Sequence, residues 1–315
     1  MKRLLDDLDA LFDLEYPVQG VRLGELIERF DMDLDESSLQ GWGTAGPAGE
    51  IATVSRGPVY LRYMPHLFPG MDLKLQLAHK LQYHLLPAEV PVAAPVRIAA
   101  VLESFCHLSG DLFGWRMMAN GGFLIWIVDM SGHGLETGLT SAVVKAIIDS
   151  LGDGSRVHEL VSQLNEALSH CVRPGGRAIF ATGFFMTLTA DGTAEFCSPG
   201  HPPTLVTGSH GELRELSSNS LPIGMFTGRE FVAEETYISG GDTLFLYTDG
   251  LIELASPDGE SFGLRRLREI LRGTPREPKE LTESIYERID RDHDMARLED
   301  DVTFIAVRMI EQPGS

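Results

Sequence analysis

Four aspartates close or open apolar runs in this chain, and carboxylates so placed are candidates to hold a cation. In Ile125-Trp126-Ile127-Val128-Asp129-Met130-Ser131-Gly132-His133-Gly134 a strand-like run ends in Asp129 and turns through Ser-Gly-His-Gly; Leu135 to Leu151 then has helical spacing. A buried strand that finishes in Asp is costly unless the charge is hydrogen-bonded or holds a cation. Asp129 therefore either caps the following helix or is a metal ligand. Asp111 in Ser109-Gly110-Asp111, Asp249 in Leu244-Phe245-Leu246-Tyr247-Thr248-Asp249-Gly250 and Asp300 in Asp300-Asp301-Val302-Thr303-Phe304 occupy comparable places, and their company favours the ligand.

Each of these three stands directly before or after a run that reads as a strand, so the carboxylates are expected to project into one cleft at the end of a sheet or sandwich. Oxygen-only ligands favour hard ions, Mg²⁺ or Mn²⁺, over zinc. Two such ions sharing a carboxylate, about 3.5–4 Å apart, clamp a phosphoryl group and generate a hydroxide nucleophile at neutral pH. Hydrolysis of a phosphate ester is the reaction that suits the set.

The elements that must position these acids follow from pattern and punctuation. Val96 to Glu103 alternates as a strand. Phe113 to Met118 and Phe123 to Asp129 read as a hairpin whose Asn120-Gly121-Gly122 turn needs positive φ, which brings Asp111 and Asp129 to one end. Helices are expected over Leu135 to Leu151 and Val157 to Cys171. Strands resume over Ile179 to Thr189, Ala194 to Cys197, Thr204 to Val206, Phe231 to Tyr237 and Thr243 to Tyr247; helices at Leu264 to Leu271 and Pro278 to Arg291 precede a last strand, Val302 to Met309. Hairpin-linked strands with helices inserted in pairs make an α+β fold, an antiparallel β-sandwich flanked by helices.

At 315 residues and 43% apolar the chain is long enough for one large domain with a smaller addition. It has no apolar run of about 18 residues, and its acidic opening, Met-Lys-Arg-Leu-Leu-Asp-Asp, does not suit a signal peptide, so the expectation is a soluble cytoplasmic protein. The net charge of -20 argues against nucleic acid and anionic membranes as partners. Cys106, Cys171 and Cys197 have no Cys-x-x-Cys spacing and read as reduced, largely buried residues.

Before residue 71 the pattern is a small N-terminal α+β segment. Leu4, Leu5, Leu8, Leu11 and Phe12 have helical spacing, Leu23 to Phe30 suits a second helix, and Ile51 to Val54 with Val59 to Tyr63 suits a strand pair. Asp72 to Leu86 is a helix with a broad apolar surface, stopped by Pro87; that surface either pairs with a second copy or buries against the catalytic domain. The expected division is 1–70 as a regulatory or dimerising segment, 71–91 as a linker helix, and 92–311 as the catalytic domain.

Eight pieces of the chain, in order, resemble the SpoIIE/RsbU-type bacterial branch of the PPM metal-dependent Ser/Thr protein phosphatases. They are the Leu77-Ala78 to Leu85-Leu86-Pro87 helix, Ser109-Gly110-Asp111, Val128-Asp129-Met130-Ser131-Gly132-His133-Gly134, Phe180-Ala181-Thr182, Pro199-Gly200-His201-Pro202-Pro203, Leu221-Pro222-Ile223-Gly224, Tyr247-Thr248-Asp249-Gly250 and Asp300-Asp301-Val302-Thr303. They cover about Met71 to Met309. The resemblance implies that Asp129 bridges two Mn²⁺ or Mg²⁺ ions, that Asp249 and Asp300 complete one of them, and that Asp111 with the Met130 carbonyl serves the other; Asp129 and Asp249 are the catalytic pair. It implies a linker helix that carries a signal to the phosphatase. It also implies hydrolysis of phosphoserine or phosphothreonine by an activated water, on a partner such as a STAS-domain anti-sigma-factor antagonist in a partner-switching pathway. A homodimer through the linker helix or N-terminal segment would fit, without nucleic acid or membrane.

Other residues are set aside on chemical grounds. His133 is a candidate leaving-group acid, but hydroxide on a two-metal site needs no side-chain base. His201 reads as a structural loop residue, Asp242 as a hairpin turn, and Glu136 and Glu253 as solvated. Asp301 neighbours Asp300, and adjacent strand residues point to opposite faces, so only one of the two is expected as a ligand, and the Asp-x-x-Ser/Thr spacing of the resembled family implies Asp300. The chain departs from the family pattern where Ser109 replaces a Gly and Gly114 stands in place of a second Asp, which predicts a missing support for the metal. Two other readings accompany the phosphatase: a catalytically silent interaction module on the same fold, and a metal hydrolase for a small phosphate ester.

Overall fold

The computed structural model describes residues 52–56, 59–63, 73–87, 89–105, 108–132, 134–150, 156–170, 179–209, 211–217, 220–255, 259–272, 277–293 and 298–311. The helices expected before residue 50, Cys106, Cys171 and His133 lie outside them. Twelve strands among the described residues form two sheets. One has the order β1 (Ala52–Arg56), β2 (Val59–Tyr63), β3 (Val96–Glu103), β12 (Val302–Met309), β11 (Thr243–Tyr247), β8 (Thr204–Thr207), β9 (Leu213–Leu216). The other has the order β10 (Glu234–Tyr237), β7 (Thr193–Cys197), β6 (Ala181–Leu188), β5 (Phe123–Met130), β4 (Leu112–Met117). Pairing is antiparallel except between β2 and β3, which run parallel. Helix α1 (Leu73–His84) is the crossover between those two strands, as a parallel pair requires.

Strands β3, β8, β11 and β12 of the larger sheet divide their side chains between two cores. In β12, Ile305, Val307 and Met309 join the core shared with the smaller sheet, while Val302, Phe304 and Ala306 face the second. In β11, Leu244 and Leu246 divide from Phe245 and Tyr247 in the same way. A strand covered on both faces reads as a continuous apolar run, as these do. Helices α2 (Leu135–Ser150) and α3 (Val157–Ser169) add Val144, Ile148, Leu160 and Leu164 to the first core. The second core is closed by α4 (Asp249–Glu253), α5 (Gly263–Leu271) and α6 (Pro278–Asp292), with Leu251, Leu267 and Ile285 fully buried. Burying each such side chain contributes about 1.5–3 kcal/mol. Two antiparallel sheets flanked by helices is the architecture the pattern predicted.

Local departures have local causes. The strand expected over Phe231 to Tyr237 begins only at Glu234, because the Phe231 amide donates to Ser162 Oγ on α3 (3.3 Å) instead of joining the ladder. Strand β9, Leu213-Arg214-Glu215-Leu216, has no apolar run to betray it; it pairs with β8 at the sheet edge. The short α4 places Asp249 in the first turn of a helix. The Asn120-Gly121-Gly122 turn has the expected geometry, with Gly121 at φ 82° and the Met118 amide donating to the Gly122 carbonyl at 2.8 Å. No helix among the described residues is long and apolar enough to cross a membrane.

Candidate active site

Two of the acids come from the smaller sheet. The β4–β5 ladder pairs Leu112 with Val128, so Asp111, one residue further on, falls opposite Asp129. Asp111 is buried, at 2% exposure. A side chain at Gly110 would lie 2.9 Å from Thr137 Cγ2 and 3.5 Å from the carbonyl oxygens of both Met130 and Gly132. The turn bearing Asp111 therefore runs directly against the Met130 carbonyl.

The other two come from the larger sheet. The β11–β12 ladder pairs Tyr247 with Phe304 and continues as the Thr248 amide donates to the Thr303 carbonyl at 2.9 Å. The Thr303 amide donates to Thr248 Oγ1 (3.1 Å), and that hydroxyl donates onward to Asp111 Oδ2 at 2.8 Å, crossing between the sheets. Asp249 follows at once. At Gly250 a Cβ would stand 2.0 Å from the Asp301 carbonyl oxygen, so only glycine lets the chain before β12 pass over α4. That contact holds Asp300 beside Asp249.

The charges act on one another. Burial, and then the carboxylates of Asp249, Asp300 and Asp301, push Asp129 up to about 8; its hydrogen bond with Asp249 adds to the rise. Asp111 lies well above the usual carboxylate range, through burial first and then through Asp129 and Asp301, although hydroxyls of Thr303 and Thr248 pull it back. Exposure rises from buried Asp111 through half-buried Asp129 and Asp249 to exposed Asp300, so the group opens outward. Among the described residues no three His, Cys, Asp or Glu side chains are drawn together closely enough to hold a metal ion by themselves. The donor chemistry nevertheless fits a hard divalent cation: these are oxygens only, and the field that now retains protons is the field that attracts a cation.

The structure thus brings Asp111, Asp129, the Met130 carbonyl, Asp249 and Asp300 to one end of the two sheets. Asp301, set aside in the sequence, has a holding task. At 6% exposure it accepts from the Phe105 amide (2.7 Å) and Ser104 Oγ (3.3 Å) through Oδ1, and from the Gly110 amide (2.6 Å) through Oδ2. Both aspartates precede β12, which begins at Val302, and Asp301 faces the side where the Asp111 turn is anchored. Burial raises Asp301 while the two amides lower it.

His201 is 7% exposed with Nδ1 3.1 Å from Thr182 Oγ1, and Thr182 pairs with Asp129 across β5 and β6. Burial pushes it down to about 3, so the ring is neutral near pH 7 and unsuited to donate a proton there. Asp242 accepts from the Ser239 amide (3.0 Å) in a turn at the far end of β11. Glu136 and Glu253 are exposed. The two departures from the family pattern have explanations. Ser109 Oγ accepts from the Asp111 amide (3.1 Å), a support within the turn itself. Gly114 lies under the Trp126 ring, 2.5 Å from where a Cβ would be, so no Asp fits there without moving the tryptophan.

Comparison with known proteins places the chain in a family. Residues 119–310 match the family model of Stage II sporulation protein E (SpoIIE), well over half of the chain. Protein IcfG of Synechocystis sp. is 25% identical over 330 aligned positions, covering 94% of this chain and 50% of that protein. The phosphoserine phosphatase RsbP of Bacillus subtilis is 26% identical over 238, covering 74% of this chain and 57% of that protein. The chain therefore spans about half the length of these curated relatives. Among solved structures, the SiaA PP2C domain of Pseudomonas aeruginosa has the same fold, with a TM-score of 0.64 at 22% identity over 74% of this chain and 95% of that domain.

Proposed function

The chain belongs to the SpoIIE family, and on that footing we propose that it is a metal-dependent protein serine/threonine phosphatase. The observation that supports the proposal is the approach of the strand ends that bear Asp111 and Asp129 to those that bear Asp249 and Asp300, with the Thr248 hydroxyl beside Asp249 donating to Asp111 Oδ2 at 2.8 Å. When bound, two Mn²⁺ or Mg²⁺ ions would polarise a phosphoryl group and lower the pKa of a water. The residues proposed to hold them are Asp129 between both, Asp249 and Asp300 on one, and Asp111 with the Met130 carbonyl on the other.

This chain's residues have defined tasks in that reading. Thr248 and Asp301 fix Asp111 from two directions, and Gly250 sets the spacing of Asp249 and Asp300. The outward opening at Asp300 lets a phosphorylated side chain on a protein surface reach Asp129. The substrate we propose is a phosphoserine or phosphothreonine on a small regulatory protein, a STAS-domain anti-sigma-factor antagonist in a partner-switching pathway. The likeness to a named phosphoserine phosphatase, RsbP, supports that choice. Residues 1–70 are proposed to regulate or dimerise, 71–91 to link, and the cytoplasm to be the site of action.

The test is p-nitrophenyl phosphate hydrolysis with Mn²⁺, with and without EDTA, in the wild type and in Asp249→Asn. Turnover that needs metal and vanishes in the variant is expected. Metal-independent turnover would overturn the mechanism. No observation favours a silent binding module, since none of the four acids is replaced.

A further inference from the structure

We propose that the loop from Leu221 to Phe226 is a docking surface for the phosphorylated substrate protein, where it grips apolar side chains that flank the phosphoserine. The inference rests on the acid group being the phosphatase site proposed above. The loop joins the strand beside the acids in register: the Ala181 amide donates to the Ile223 carbonyl at 2.9 Å, and the Ile223 amide donates to the Ala181 carbonyl at 2.8 Å. Ala181 pairs in turn with Met130 across β5 and β6, so Asp129, Thr182 and Pro222 fall in the adjacent row. Met130, Ala181 and Ile223 are buried, whereas Asp129, Thr182 and Pro222 are partly open. Neighbouring strands lie about 4.8 Å apart, which puts Pro222 about 10 Å from Asp129.

Around that row the chain turns apolar groups to solvent. Leu221, Met225 and Phe226 are 40%, 42% and 54% exposed. Their backbone is fixed from α3: the Gly224 amide donates to Asn165 Oδ1 at 2.8 Å, Asn165 Nδ2 donates to the Phe226 carbonyl at 2.9 Å, and the Gly228 amide donates to Glu166 Oε2 at 3.2 Å. Gly224 has φ 87°, and a Cβ there would stand 2.7 Å from the Ile179 carbonyl oxygen. A loop held in this way presents its side chains without a large ordering cost when a partner binds. Leu221 also lines a cleft of about 320 Å³ with Arg229 and Val232, which gives an apolar side chain of a partner a place to enter.

Size and charge identify the occupant. A specific protein interface covers about 800 Å² on each partner, a disc of about 16 Å radius. A folded protein whose phosphoserine reaches Asp129 therefore covers Pro222 and the side chains beside it. The net charge of -20 offers no long-range attraction to an anionic phosphoprotein, so short-range apolar contact is left to hold it. Exposed apolar side chains gathered in one place mark such contacts. A small phosphate ester reaches the acids without touching the loop, so the loop separates protein substrates from small ones.

The experiment uses the full chain with Mn²⁺ and three substrates. One is p-nitrophenyl phosphate; the others are phosphoserine peptides with leucine or serine three residues to either side, about 10 Å away when extended. The leucine peptide should have a kcat/KM about 10-fold above the serine peptide. That preference should vanish when Met225→Ser and Phe226→Ser are combined, with p-nitrophenyl phosphate turnover as in the wild type. Should the double variant fail to fold, Leu221→Ser should diminish the same preference. Equal kcat/KM for the two peptides in the wild type, or a preference kept in a folded variant, overturns the inference alone. So does sedimentation that shows an oligomer dissociating in the variant while the peptide preference is kept, which would assign the loop to a second copy. A wild type that turns over no p-nitrophenyl phosphate overturns the phosphatase reading and the inference with it.

Discussion

The Thr248 hydroxyl donates to Asp111 Oδ2 at 2.8 Å, and this bond joins the acid-bearing ends of the two sheets, as the Gly110 amide does by donating to Asp301 Oδ2 at 2.6 Å. Thr248 is oriented for it by the Thr303 amide, so the bond is fixed from β12 as well. Thr248→Val removes the hydroxyl at nearly constant volume. Loss of that donor should raise Asp111 further and weaken Mn²⁺ activation of p-nitrophenyl phosphate turnover about 10-fold, with the rate at saturating Mn²⁺ changed less. An unchanged Mn²⁺ dependence would show that the bond does not set the site.

Asp129→Asn should abolish Mn²⁺ binding and turnover while leaving the fold intact. The substitution also removes a charge from a group of mutually repelling carboxylates. The variant in EDTA should therefore melt no lower than the wild type in EDTA near pH 8, measured by scanning calorimetry. Retained turnover would disprove the central role of this residue.

Stability without metal should fall as pH rises towards 8. Asp129 titrates at about 8 in the folded chain against 3.8 in the reference state. Its contribution is present below the unfolded value and is lost as pH climbs through the folded one. His201 has the opposite sign: lowered to about 3, its contribution is complete above 6.5 and is lost on acidification. Between pH 7 and 8 the aspartate therefore dominates this pair, and the melting temperature in EDTA should drop by about 2–4 °C. Mn²⁺ should remove the drop, because a bound cation replaces the proton. A flat profile in EDTA would contradict the raised Asp129.

Asp301→Asn keeps the shape but turns an amide group towards one of two backbone donors, Phe105 or Gly110. Leaving such a donor unmet costs about 1–3 kcal/mol. The expected result is a lower denaturation midpoint by chemical unfolding together with weaker Mn²⁺ binding, whereas Asp300→Asn should weaken binding with little change in the midpoint. Equal effects of the two variants on stability would erase the distinction between holder and ligand.

The sequence made most of this site legible because each acid adjoins an apolar strand, and strand ends are where a sheet presents side chains to a cleft. Strands β3, β5, β11 and β12 could be read for the same reason: they are covered on both faces and show as long apolar runs. What escaped was held by polar contacts between distant segments. Asp301 was judged by its direction relative to Asp300, and nothing local reveals that Phe105 and Gly110 wait on its other side. Gln82 likewise stands in a leucine-rich helix, and nothing local reveals that the Ser109 backbone lies against it. The broad surface of α1 left two occupants open, a second copy or the domain itself, and the burial of His79, Gln82, Tyr83 and Leu86 shows that its later half takes the second.

The parallel pairing of β2 with β3 also governs where this protein can be cut. Val59 to Arg62 lie along Ala100 to Glu103, and the hairpin places β1 outermost. A recombinant fragment beginning at residue 71 would strip that cover from β3 and expose a row of unpaired amides and carbonyls on an apolar strand, a template for self-association. A fragment beginning just before Ala52 keeps the border closed, and would be the one to carry forward for expression and crystallisation.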